Sequence, residues 1–358
     1  MKKLAYIFLV LIFSGINAQT DLDLENKIQE ADRLAFSNPD SALLVIRKLE
    51  AKIDDDRLKS KLLLAKGSAY SVKHLSSAAL KSGFEAYEIS QKAKDSLMMI
   101  NSLGFIGNQY YILRLNKKAM NYLNRAESNI NQLNDKAANQ AIANTYFVKA
   151  LVYKDNLDPA FAIMYFDKAI KEYEKLRSES SITNKNTTKI QKAYSLLDLK
   201  EPDKAEAIFL EVIDEAQENN ITEIVNYAKI GLAITFENRN EYIKANEILL
   251  SVEKQIGNSS NIGMLTEIYE ALCQNYYDQN NAGQFYYYSK KLEKFLLQNN
   301  ENEIKSFAEL AIKNVETKET ELNDSQRMFY LTVFLIVFGG IVSLFFIYRK
   351  IITVESRK

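Results

Sequence analysis

ALVYKDNLDPAFAIMYF, running from Ala150 to Phe166, is the stretch that decides the fold. The small residue Ala150 is followed three positions later by Tyr153, Pro159 follows Asp158, and Ala162 and Phe166 stand four apart. Residues three or four apart share one face of a helix. Proline suits the first helical position, where its missing N–H leaves nothing unpaired, and aspartate before it is a good N-cap. The stretch reads as the end of one helix, a short connection and the start of a second.

The same signature recurs on both sides. Small residue and aromatic or leucine pair up as Gly67 and Tyr70, Gly107 and Tyr110, Ala193 and Leu196, Ala233 and Phe236, and Cys273 and Tyr276. Together with Ala150 the small residues are spaced 40, 43, 43, 40 and 40 apart. Nine positions beyond the first five large residues come Ala79, Ala119, Ala162, Ala205 and Ala245, and four further on Gly83, Leu123, Phe166, Phe209 and Leu249. Pro39, Pro159 and Pro202, the 3 prolines of the chain, each stand three residues before an alanine: Ala42, Ala162 or Ala205. Asn38-Pro39-Asp40-Ser41-Ala42 marks a first, degenerate unit, and Glu201 is a poorer cap than Asn38 or Asp158.

This Gly-x-x-Tyr, then Ala-x-x-x-Phe, arrangement resembles the tetratricopeptide repeat (TPR) family from about Asp21 to Gln298. The resemblance implies an all-α protein, an α-solenoid of about seven TPR-like helix pairs over residues 19–298. In each pair a small residue on one helix is expected to admit the bulky side chain of its partner. The period departs from the usual repeat of about 34 residues, and tryptophan is absent. The extra residues are expected in longer helices or in loops, with Arg177 to Thr188, rich in Ser, Thr and Asn, the clearest loop.

Composition agrees with helices. Among 358 residues only 11 are glycine, while Ala, Leu, Ile, Lys, Glu, Asn and Gln dominate. The 46 basic and 46 acidic residues cancel, yet Lys2, Lys3, Arg349, Lys350, Arg357 and Lys358 lie at the two ends, where only Glu355 is acidic. The body keeps 40 basic against 45 acidic residues, a mildly acidic balance without a basic stripe that argues against nucleic acid as a partner. One cysteine, Cys273, forms no internal disulfide.

Two apolar segments bear on location. Residues 1–18 combine Lys2 and Lys3, the apolar run Leu4 to Phe13 and a small residue at Ala18, the parts of a signal peptide cleaved after Ala18. From Met328 to Tyr348 no residue is charged, and at ~1.5 Å per residue the run crosses a ~30 Å hydrocarbon core. It is expected to be one C-terminal transmembrane helix. Tyr330 and Tyr348 are placed as interfacial aromatics, and Arg349-Lys350 put the tail 349–358 in the cytoplasm. The expected protein is therefore single-pass in the cytoplasmic (inner) membrane, its N-terminal body in the periplasm or exterior. Residues 299–327 are expected to form a membrane-proximal helix; Ala308, Ile312, Val315 and Leu322 share a face that serves either as a homodimer seam or as a cap on the last repeat.

No chemistry suggests itself. The single histidine, His74, falls on a short connection without metal or nucleophile partners, and Cys273 replaces a small residue at a helix contact, where a structural thiol is expected. Phosphate loops, Gly-x-Ser-x-Gly and His-Glu-x-x-His are absent, so no enzyme, cofactor or metal is expected. The resemblance implies instead a protein or peptide partner, held in the concave groove lined by the first helix of each pair. By register that groove presents Asn108, Tyr111, Asn144, Phe147, Lys154, Tyr194, Tyr227, Glu267, Glu270, Gln274 and Tyr277. The Lys and Asn clamp by which some relatives grip a terminal carboxylate is not reproduced, because Gly104 stands where lysine is needed beside Asn108. The aromatic run Tyr276, Tyr277, Phe285 to Tyr288 reads mainly as core of the last pair, with Tyr277 kept as a contact.

The layout also resembles the exported sensor half of membrane-bound regulators that carry a cytoplasmic helix-turn-helix or histidine-kinase domain. Arg349 to Lys358 are too few to fold into an output domain. The expected function is thus a membrane-anchored extracytoplasmic scaffold, with a truncated sensor portion of a signal-transduction protein as the alternative.

Overall fold

The computed structural model describes residues 22–131, 133, 138–156, 158–257, 262–294 and 296–297. The chain divides into two compact units, Met1–Ser306 and Phe307–Lys358, and all described residues belong to the first. The expected signal peptide 1–18, the expected membrane-proximal helix 299–327, the span 328–348 and the tail 349–358 lie outside the described residues. Among the described residues no helix is long and apolar enough to cross a membrane.

The described residues form fourteen helices and no strand. They are α1 (22–37), α2 (Pro39–Glu50), α3 (Asp56–Val72), α4 (Ser76–Ala93), α5 (Ser96–Ile112), α6 (Asn116–Ile130) and α7 (Asn139–Asp155). There follow α8 (Pro159–Tyr173), α9 (Glu179–Asp198), α10 (Pro202–Glu218), α11 (Thr222–Asn238), α12 (Tyr242–Ile256), α13 (Ile262–Asp278) and α14 (282–294). Taken two by two they make the seven helix pairs that the spacing predicts. First helices pack on the first helices of neighbouring pairs, α3 on α5, α5 on α7, α7 on α9, α9 on α11 and α11 on α13, whereas second helices pack on the flanking first helices. The odd-numbered helices therefore form an inner layer.

The proline starts behave as read. Asn38 and Asp158 accept the backbone N–H of Ser41 and Phe161 at 3.1 and 3.2 Å, while Glu201 makes no side-chain cap. The recurring large residue has a backbone duty as well. Tyr70, Tyr110, Leu196, Phe236 and Tyr276 lend their carbonyls to the N–H five residues on, at 2.9 Å each. The intervening His74, Arg114, Lys200, Asn240 and Asn280 all have left-handed backbone, φ 57° to 62°. Five of the seven first helices, α3, α5, α9, α11 and α13, thus end in a Schellman turn with a non-glycine residue at its left-handed position. His74 is one of these turn residues.

Three of the large residues also stack on a ring twelve positions further along: Tyr110 on Tyr122, Tyr153 on Tyr165 and Tyr276 on Tyr288, with centroids 5.4, 5.3 and 5.7 Å apart. Offset stacking of this kind adds to the area the rings bury. Small-to-large packing is present, but not confined to one pair. Leu123 covers Gly107 within its pair, whereas Phe105 of α5 lies over Gly67 and Gly83 of the preceding pair, and Phe209 of α10 lies over Gly231 of the following one. The interlock therefore runs between units as much as within them.

The expected loop at Arg177 to Thr188 is a helix from Glu179 onward. Ser178 caps it by accepting the Ser181 N–H at 3.2 Å. Thr183, Thr187 and Thr188 return their hydroxyls to carbonyls four residues back, at 3.1, 3.0 and 2.7 Å. Local hydrogen bonding, which usually sets these residues against a helix, is here satisfied inside it. Lys185 and Lys189 then tie the helix to Glu215 of α10. Cys273 is buried, 3.6 Å from the Ser289 hydroxyl, and burial pushes its thiol up.

Candidate functional site

Three registers on each first helix set what the inner layer presents. Counted from the small residue, the position after it carries Ser68, Asn108, Tyr194, Ile234 and Gln274; three before it stand Leu64, Gly104, Phe147 and Glu270; six before it stand Asn101, Asn144, Thr187 and Glu267. All of these line one of two cavities. The helical period alone aligns them, since positions −6, −3 and +1 fall on one stripe.

The first cavity, about 620 Å³, is bounded by α1, α3, α5, α7 and α9. Its floor is apolar, with Leu64, Ile100, Ile112 and Phe147, and its polar groups are mostly amides and hydroxyls: Asn101, Asn108, Asn144, Thr145, Asn184 and Thr187. The Asn144 carbonyl oxygen accepts the Tyr173 hydroxyl at 2.7 Å and the Gln140 amide at 3.0 Å, which fixes that side chain and turns its own NH₂ outward as a donor. Gly104 faces the Thr145 hydroxyl, so this wall carries no cation for a carboxylate.

The second cavity, about 500 Å³, lies between α7, α9, α11 and α13 and is charged. The Lys154 ammonium donates to Gln191 Oε1 at 2.9 Å and sits 5.0 Å from the centroid of the Tyr194 ring. Burial pushes the Lys154 pKa down, against the pull of Asp198, Asp155 and Glu267. Glu267 Oε2 and the Tyr194 hydroxyl are both shut off from solvent without a hydrogen-bond partner. Burial raises the Glu267 carboxyl to about 7, with Lys154 lowering it and Glu270 raising it. Burial, and after it Asp278, raises Glu237 to about 7 as well. Buried polar groups without partners are rare in folded proteins, and here two face the same cavity.

Of the residues expected in the groove, Asn108, Asn144 and Phe147 meet in the first cavity, and Lys154, Tyr194, Glu267, Glu270 and Gln274 in the second. Three line neither. Tyr111 is half-buried, its hydroxyl pushed up to about 12 by burial and by Asp155. Tyr227 packs into the hydrophobic clusters on both sides of α11. Tyr277 is 65% exposed and leans on Phe285 at 5.9 Å. The aromatic run divides likewise, with Tyr288 buried and Tyr276 half-buried while Phe285, Tyr286 and Tyr287 are exposed. Glu237 and Gln191 were missing from the sequence reading. Glu237 sits one place beyond Phe236, the register already credited to Lys154, Tyr111 and Tyr277, so the signal was present. Among the described residues no group of three or more His, Cys, Asp and Glu is placed to hold a metal ion.

No protein-family model matches the chain, and no curated protein does either. Solved structures are similar. NprR in complex with its cognate peptide NprX aligns with TM-score 0.56 and 14% identity over 82% of this chain and 84% of that one. A signal-transduction ATPase with numerous domains from Pyrococcus horikoshii, which carries a tetratricopeptide repeat sensor, aligns with TM-score 0.57 and 15% identity over 80% of this chain and 42% of that one. RapI in its apo form gives 0.55 and 16% over 76% of each. At these identities the likeness is one of fold: the chain has a TPR-like helical repeat fold.

Proposed function

We propose that the chain is a membrane-anchored, extracytoplasmic TPR scaffold that binds an extended protein or peptide segment along its inner layer and carries out no catalysis. The observation that carries this reading is the pair of cavities on the odd-numbered helices, with amide donors in one and unpartnered polar atoms in the other. Extended backbones offer alternating N–H and C=O groups that side-chain amides can pair, while the apolar floor takes side chains. That NprR was crystallised with a cognate peptide on a similar fold supports the same use. Anchoring rests on the sequence of Met328 to Tyr348, and export on residues 1–18.

The test is selection of displayed random peptides on the full chain in detergent, followed by affinity measurement on variants. Peptides enriched on the wild type are expected to lose affinity with Asn108→Ala plus Asn144→Ala, and with Tyr194→Phe. Absence of any enriched sequence, or equal affinity for wild type and variants, overturns the groove assignment. Cleavage after Ala18 is checked by the mass of the mature chain, which should begin at Gln19.

A sensory use of the same groove is favoured by one finding, the similarity to a tetratricopeptide repeat sensor in a signalling ATPase. In that reading peptide occupancy is relayed across Met328 to Tyr348. Cross-linking at Lys350 that changes on adding a selected peptide would support it, and unchanged cross-linking would refute it.

A further inference from the structure

The cavity between α7, α9, α11 and α13 holds three carboxylates, Glu237, Glu267 and Glu270, against one ammonium, Lys154. Neither Lys154 nor Glu237 nor Glu267 forms an ion pair within 4.0 Å among the described residues; Lys154 is satisfied by the Gln191 amide and the Tyr194 face instead. Glu267 Oε2 is enclosed with nothing to accept from, and the Tyr194 hydroxyl beside it is enclosed with nothing to donate to or accept from. A carboxylate oxygen accepts only, and a buried unmade hydrogen bond costs more than a made one gains. The groups missing from this wall are therefore donors, and the excess of three carboxyl groups over one lysine favours a donor that carries positive charge. A carboxylate or phosphate ligand would meet three like charges and a single lysine already engaged. A segment that lies across both this cavity and the one on α1 to α9 presents side chains here and not its ends.

We propose that this cavity is a subsite for a basic side chain, the guanidinium of arginine or the ammonium of lysine, with Glu267 and Glu237 accepting its N–H groups and the Tyr194 ring and hydroxyl closing over it. The assignment deepens the peptide-binding reading and rests on it for the source of the cation. The titratable and charged groups around the site are Lys154 and Asp155 on α7, Tyr194 and Asp198 on α9, Tyr227 and Glu237 on α11, Tyr242 on α12, and Glu267, Glu270 and Asp278 on α13. A bound cation favours the ionised carboxyls, both of which are held near 7, so binding expels protons and strengthens as pH rises from about 6 to about 8.

The test measures binding of small probes to the full chain by saturation-transfer difference NMR. N-acetyl-arginine amide carries the side-chain cation, N-acetyl-citrulline amide is its neutral isostere, and glycine amide carries only an N-terminal ammonium. The arginine probe is expected to bind at least ~10-fold more tightly than the citrulline probe, and to tighten with pH over that range. Glu267→Gln and, separately, Glu237→Gln should erase most of the difference, while Glu88→Gln on α4 leaves it intact. Equal binding of arginine and citrulline probes overturns the subsite without needing any variant to fold, and tighter binding of glycine amide overturns the side-chain assignment. If displayed peptides are enriched but show no need for a basic residue, the peptide reading stands and the subsite falls. If no peptide is enriched yet the arginine probe binds in a Glu267-dependent way, the cation site stands and the peptide reading falls.

Discussion

Phe209 of α10 fills the space that a Cβ on Gly231 of α11 would need, and the two residues belong to different repeats. The contact is a joint between units, and its energetics should show directly.

Gly231→Ala would gain ~1 kcal/mol of helix propensity, but overpacking a full site costs ~1–3 kcal/mol. A net loss of up to about 2 kcal/mol is expected in urea melts. Adding Phe209→Leu should recover part of that loss, the non-additivity that marks residues in contact. A Gly231→Ala variant as stable as wild type would mean that Phe209 yields its place freely.

Lys200 occupies the left-handed position of the turn after α9, φ 61°, and makes no ion pair among the described residues. Non-glycine side chains strain there by ~1 kcal/mol. Lys200→Gly should raise stability by roughly 0.5–1 kcal/mol, although glycine usually destabilises through the unfolded state. A fall in melting temperature would contradict this.

Lys149 of α7, its side chain 4% exposed, pairs with Glu127 of α6, and its ammonium also donates to Asn124 at 2.7 Å. Removing one member of a buried pair strands the other. Glu127→Gln is expected to cost ~3 kcal/mol, because the lysine is the more deeply buried partner. Lys149→Met should cost less than about 1 kcal/mol, since Glu127 keeps Lys168 at 3.7 Å and the Tyr165 hydroxyl at 3.3 Å. The reverse order of the two losses would show that the glutamate is the more poorly solvated ion.

Glu237 and Glu267 set the pH dependence. Both carboxyls are raised from the ordinary 4.5 to about 7 in the fold. Between those values the folded chain binds more protons than the unfolded one, so this pair's contribution to stability falls as pH rises through the window and stays low above it. Glu267→Gln should flatten the decline measured by urea melts from about pH 5 to about pH 8. An unchanged slope would mean that Glu267 is solvated in the fold.

The fold was legible because packing between helices leaves a fixed-period imprint. Gly67, Gly107, Ala150, Ala193, Ala233 and Cys273 recur at the close approaches, and in the first five units a spacing of nine residues links the large partner to an alanine of the next helix. What the sequence hid came from contacts that carry no period. Arg177 to Thr188 looks like a loop by composition, and only the back-bonded threonines and the link to Glu215 make it helical. The groove was partly legible for the same reason as the fold: the register that places Asn108, Asn144, Tyr194 and Glu267 is helical. Tyr227 and Tyr111 share that stripe by number, yet core packing and Asp155 hold them away from the cavities. Whether a carboxylate in register is solvated or enclosed depends on neighbours dozens of residues away, as with Glu237.

The inner helices touch from pair to pair with their backbones close, while neighbouring outer helices meet through long side chains, Arg125 of α6 against Tyr87 of α4 and Lys168 of α8 against Glu127 of α6, and this gives the array a preferred direction of yielding. Squeezing the inside tighter would compress helices already in contact, whereas the outer helices can draw together by re-orienting the flexible arginine and lysine side chains that bridge them. Thermal breathing should therefore part the inner helices more readily than press them together.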